Sequence, residues 1–175
     1  MIDSPLMTQA TNSFIEYVDT NEVNALDQSI GFARGALAST VSSARVYCLH
    51  HLARCLSLRF EHILEIEDLS EAIRFLEEAA SIPQEPSNHA VNLQLLARTF
   101  GDRYQANGDE HDFDCAIQAG NHGLNLGISD TSRLVFIHDE QDLQISLRQS
   151  QSFERLEPCN STGGACPRTF TNWSC

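Results

Sequence analysis

The stretch RFEHILEIEDLSEAI, residues 59–73, returns 44 residues later as RYQANGDEHDFDCAI, residues 103–117. An Arg, an aromatic residue, an acidic stretch, an Asp, a large apolar residue and Ala-Ile recur in register without a gap. A fainter copy lies upstream: a shift of 43 residues places Tyr17 on Phe60, Leu26 on Leu69 and Ile30 on Ile73. A fixed period of about 20–50 residues signals a stacked array, in which each unit covers its apolar face with its neighbour. Three units meet the usual minimum for such an array.

Within each period the hydrophobic pattern is helical. Leu49, Leu52, Ala53, Leu56 and Phe60 fall at steps of three and four, which makes one apolar stripe. Leu69, Ala72, Ile73, Leu76, Ala79 and Ala80 make a second, and Pro83 and Pro86 end it by withdrawing backbone donors. Asp68 with Glu71 has capping-box spacing, so Asp68 is expected to cap this second helix and Arg59 to bridge the turn. The next unit repeats the plan with Leu93, Leu96, Ala97, Phe100 and Tyr104, a turn at NGD, and Asp112 as the expected cap. Its second helix carries Gly120 and Gly123, which lower helix propensity or admit a close neighbour. In the first unit, SPLMTQATNSFIEYV and NALDQSIGFARGALAS are the corresponding helices. The expected fold is all-α: a superhelix of three helix-turn-helix pairs over about 4–40, 43–83 and 87–126. Residues 127–175 carry no further copy in phase and read as a divergent, partly disordered tail rich in Ser, Thr, Gly and Cys near its end.

Leu49, Leu52, Ala53 and Leu56, followed by Ala72, Leu76, Ala79 and Pro83, make a pattern that resembles tetratricopeptide (TPR) repeats. The two echoing strings look like the longer repeats of fungal TPR-like arrays, with a longer loop between the paired helices than the 34-residue form has. The resemblance covers residues 4 to about 126 and implies an architecture more than an activity. Such arrays often precede an effector domain, including a caspase-like peptidase domain. An alternative to a free-standing scaffold is therefore a shortened sensor or assembly segment of a larger effector, with no activity of its own.

The net charge is −13, and all 11 basic residues are Arg. Phosphate backbones and anionic lipid surfaces are repelled by such a chain, so neither nucleic acid nor a membrane is an expected partner. No apolar run approaches the ~20 residues of a transmembrane helix, and the N-terminus lacks a basic patch followed by an apolar core. A cytoplasmic setting follows as the expectation, with Cys48, Cys55 and Cys115 as buried helix residues rather than disulfide partners.

No HExxH, CxxC, Walker loop or GxGxxG occurs, and neither a metal nor a cofactor is expected. His50 and His51 are adjacent, so on a helix they diverge by ~100° and do not share one ion. His122 and Cys166 stand in contexts reminiscent of a caspase-like dyad, but a helical repeat around His122 does not supply the sheet such a dyad needs. The expectation is a non-enzymatic scaffold that takes a peptide or helical protein on its concave face, or associates with itself through the array ends. Arg54 and Arg98 sit at equivalent positions on successive first helices, where two guanidinium groups can hold a carboxylate or else pair with acidic neighbours. Tyr47, His50, Arg54, Gln94, Arg98 and Asp102 are the candidate partner-binding residues.

Overall fold

The computed structural model describes residues 4–40 and 43–126, and residues 127–175, where the expected tail falls, lie outside the described part. The described residues form six α-helices and no strand: α1 (Pro5–Thr20), α2 (Val23–Ser39), α3 (Ser43–Ile63), α4 (Ile66–Ser81), α5 (Pro86–Asn107) and α6 (Glu110–Asn125). Successive helices pack on one another, so the chain is three antiparallel pairs stacked in order. The apolar stripes read from the sequence form the core. Leu26, Leu49, Leu52, Leu56, Leu69 and Leu76 are fully buried, and the small Ala33, Ala36, Ala53, Ala72 and Ala79 let the helices approach. Gly120 and Gly123 are buried as well, and α6 runs unbroken through them to Asn125.

The turn inside each pair is shorter than the sequence suggests. Asn21-Glu22, Leu64-Glu65 and Gly108-Asp109 are each two-residue connections. The first residue of each is left-handed, with φ of 58°, 57° and 72° respectively. Its N–H donates to the carbonyl of the aromatic residue four positions back: Tyr17 at 2.7 Å, Phe60 at 2.8 Å and Tyr104 at 2.7 Å. Glu22, Glu65 and Asp109 then take extended backbone, and the second helix starts. The extra length of the period thus lies in the helices, of which α3 and α5 span 21 and 22 residues, rather than in the connecting loop. Glu61, His62 and Ile63, which read as part of an acidic loop, are the last turn of α3.

The capping assignments are also corrected. Glu65, not Asp68, occupies the N-cap of α4, and it makes no side-chain cap bond. Asp109, not Asp112, caps α6 by accepting from the His111 N–H at 3.0 Å. Asp68 and Asp112 sit in the first turn of their helices, almost fully buried. Each is gripped on both oxygens by the Arg nine residues earlier: Arg59 to Asp68 at 2.8 and 2.5 Å, and Arg103 to Asp112 at 2.8 and 2.6 Å. Burying a carboxylate is costly unless a partner compensates it, and a bidentate guanidinium does so with fixed geometry. The pairing holds both guanidinium groups above their ordinary pKa, mainly through the hydrogen bonds to the carboxylates. Each Arg also reaches back to the second helix of the preceding pair, Arg59 to Asp27 at 2.7 Å and Arg103 to Ser70 at 3.3 Å. Asp27 and Ser70 are themselves equivalent under the 43-residue shift. In the first pair the two latch positions hold Glu16 and Ala25.

Candidate functional site

The first helices α1, α3 and α5 lie side by side and touch through their side chains. Tyr17 shares a hydrogen bond with His62 at 2.8 Å, and Ser57 meets Thr99 at 3.3 Å. Asn92 accepts from His50 Nδ1 at 2.8 Å and passes its own amide N–H to Gln84 at 2.9 Å. The second helices form a layer behind, joined by the Arg34–Glu71 ion pair between α2 and α4. One face of the first-helix layer therefore packs on the second helices, and the other is open among the described residues.

On that open face the repeat register lines up one stripe per helix. Ser4, Thr11, Ile15 and Val18 on and before α1 correspond to Tyr47, Arg54, Leu58 and Glu61 on α3, and these to Val91, Arg98, Asp102 and Gln105 on α5. Seven large apolar side chains are exposed among the described residues, and four of them, Ile15, Val18, Tyr47 and Val91, fall on this stripe. Scattered exposed apolar residues need no explanation, but a shared register on one face does. Ile15 and Val18 are 52% and 63% exposed, which is unusual for aliphatic side chains at helix-face positions. Met7, Thr8, Thr11 and Tyr47 line an open groove of about 220 Å³ between α1 and α3.

The six candidate residues divide within this frame. Tyr47, Arg54 and Arg98 are exposed on the open face, while Gln94 and Asp102 are half-buried. His50 is half-buried and turned sideways toward Asn92, and burial lowers its pKa. Arg98 pairs with Glu61 at 3.1 Å and lies 3.9 Å from Asp102. Burial pushes the Asp102 carboxyl up to about 6, with Arg98 opposing and Glu61 reinforcing the rise.

Arg54 differs. Arg34, Arg45, Arg59, Arg74, Arg98 and Arg103 each form an ion pair with Asp or Glu. Arg54 is the one arginine among the described residues with no carboxylate partner. Its guanidinium instead lies over the Phe14 ring, 4.7 Å from the centroid. Phe14 in turn meets His51 edge-on, with centroids 5.6 Å apart, and His51 stacks on Tyr47 at 6.4 Å. Phe14 was not legible as a site residue, because it belongs to the preceding unit and its recurrence position on α3 is not aromatic.

Behind this cluster lies a buried polar junction of three helices. Ser29 Oγ donates to the Ala10 carbonyl at 2.8 Å and receives His51 Nε2 at 2.9 Å, with Cys55 Sγ at 3.4 Å. A hydroxyl has one proton, so with it on Ala10 the imidazole N–H and the thiol must be the donors to Ser29. Burial lowers the His51 pKa to about 4 and raises that of the Cys55 thiol to about 11. The three groups form a sealed neutral network rather than an activated nucleophile. His50 and His51 face different helices, and no group of three His, Cys, Asp or Glu side chains among the described residues comes together to hold a metal. No helix of the described residues is long and apolar enough to cross a membrane. His122 lies on α6, and Cys166, the other half of the caspase-like resemblance, falls outside the described residues.

Comparison with protein-family models, with curated proteins and with solved structures gave no match.

Proposed function

We propose that this chain is a TPR-like, non-enzymatic interaction scaffold that binds a peptide or a helical protein on the concave side of its array. That side is the open face of α1, α3 and α5. The observation that carries the reading is the coincidence, on one register stripe, of four exposed apolar side chains and the one arginine without a carboxylate partner among the described residues. Apolar anchors supply association energy, and a placed charge supplies orientation. The working set is Tyr47, Arg54, Arg98 and Asp102, with Gln94 and His50 at the flanks. The acidic composition favours a protein partner over a nucleic acid or a lipid surface, and a cytoplasmic setting is part of the proposal.

The test is affinity capture with the full chain against a Tyr47→Ala, Arg54→Ala double variant. Proteins retained by the parent and lost from the variant, with the helical circular dichroism unchanged, support the scaffold reading. An identical set of retained proteins, or none with the parent, overturns it.

A further inference from the structure

The open face is not chemically uniform, and its gradient says what kind of partner fits and in which direction it lies. Along α1 the stripe is uncharged: Thr8 and Thr11, then Ile15 and Val18, at steps of three, four and three. The ten steps from Thr8 to Val18 rise about 15 Å along the helix axis. Across the array, by contrast, the character changes at each step. Ile15 is followed by Leu58 and then Asp102, and Val18 by Glu61 and then Gln105. A ligand crossing the three helices would leave apolar surface for carboxylates within two steps. One lying along α1 stays on uncharged surface for its whole length, polar at Thr8 and Thr11 and apolar at Ile15 and Val18. The steps of three and four are those of one helix stripe meeting another.

Of α3, Tyr47 lines the groove, and Arg54, seven residues farther along the helix, lies over Phe14 of α1. Arg54 is held over the Phe14 ring by a cation–π contact, which leaves its charge without a carboxylate partner among the described residues. Elsewhere the array is acidic, with 18 Asp and Glu against 7 Arg in residues 1–126, and the other six of those arginines are neutralised by carboxylates. A carboxylate from outside thus meets attraction at one place on the stripe, and repulsion near Glu61 and Asp102.

Resting on the scaffold reading above, we infer that the exposed stripe of α1, from the groove at Thr8, Thr11 and Tyr47 to Ile15 and Val18, receives an amphipathic helix from a partner protein. Its apolar ridge seats on Thr11, Ile15, Val18 and Tyr47, and an Asp or Glu beside that ridge pairs with Arg54. The partner lies along α1 and does not cross to α5. The ridge supplies contact area, and the single acidic residue fixes register and direction.

The test uses the full chain as bait for a display library of Ala-based helical peptides of about 18 residues, long enough to hold a helix. Ridge positions are varied between apolar and polar residues, and flanking positions among Asp, Glu, Lys, Arg and Ser. The expected enrichment is an apolar ridge with one flanking Asp or Glu. Arg54→Glu in the bait should switch that flank to Lys or Arg and weaken the original peptides by about tenfold or more. Ile15→Asp with Val18→Asp should abolish enrichment while the circular dichroism stays helical, since both side chains are exposed. Enrichment that ignores Arg54, or that is lost only with Val91→Asp and Arg98→Glu on α5, overturns this assignment and leaves the scaffold reading standing. No enrichment at all overturns it too, and the capture experiment above then decides the scaffold reading separately. A photo-reactive residue in place of Val18 identifies other occupants: a cross-link to a second copy, or to residues beyond Leu126 of the same chain, also overturns the inference.

Discussion

At the scale of single residues, the echo that defines the period is an ion-pair device. Asp112 is fully buried and Asp68 nearly so, and each depends on one guanidinium. Removing the cation alone leaves a carboxylate in the interior with nothing to compensate it, whereas removing both partners removes the problem. Arg103→Ala is therefore expected to cost about 3 kcal/mol, and Arg103→Met with Asp112→Leu markedly less, as read from urea midpoints. Equal losses in the two variants would mean that the pair acts through packing and not through its charge. The recurrence of Arg and Asp was legible in the sequence, but the role was not. An Asp three positions into a helix and an Asp at its cap look alike in one dimension, and only the turn geometry separates them. The same limit applies to Arg54 and Arg98, which are indistinguishable by register. What separates them is a neighbour from the preceding unit, Phe14 for one and Glu61 for the other, some 40 and 37 residues away.

At the scale of elements, one turn geometry is used three times by three unlike residues. Asn21, Leu64 and Gly108 all take the left-handed conformation, which Gly and Asn tolerate and Leu does not. Leu64 is 70% exposed, so it gains little from burial in return. Leu64→Gly is expected to raise stability by about 1 kcal/mol, while Gly108→Ala lowers it by a similar amount. A Cβ on Gly108 would meet no atom within 4 Å, so its penalty is one of conformation alone. Thermal or urea unfolding of the two variants checks the pair, and a loss of stability in Leu64→Gly would contradict it. The helices themselves were legible because their apolar spacing repeats over many residues. The turn was not, because a leucine among acidic residues carries no turn signal, and only superposing the three units shows that its position is special.

At the scale of the whole molecule, the junction between the first pair and the rest is acid-sensitive. His51 is buried and neutral, with its pKa lowered to about 4 from an ordinary value near 6.5. The unfolded chain takes up this proton before the folded one does. The stabilisation from neutral His51 is thus complete above about 6.5 and is lost as pH falls toward 4, by on the order of 3 kcal/mol. Asp102 works in the opposite sense. With its pKa raised to about 6, the folded state protonates first, and stability is gained as pH falls through that value. The clean measurement is a difference: unfolding midpoints of the parent and His51→Phe at pH 7 and 4.5. The parent should lose more on acidification than the variant. Parallel losses would show that His51 takes no part.

The backward reach of Arg59 and Arg103 gives the array a direction. Each latch closes its own pair and then touches the pair made before it, to Asp27 or to Ser70. A ribosome releases the chain in that same order. By the time Arg59 or Arg103 emerges, the surface it must reach has already been synthesised, and its own Asp follows nine residues later. The latches can therefore close in the order of synthesis, as a wall is laid, each course bonded to the one beneath.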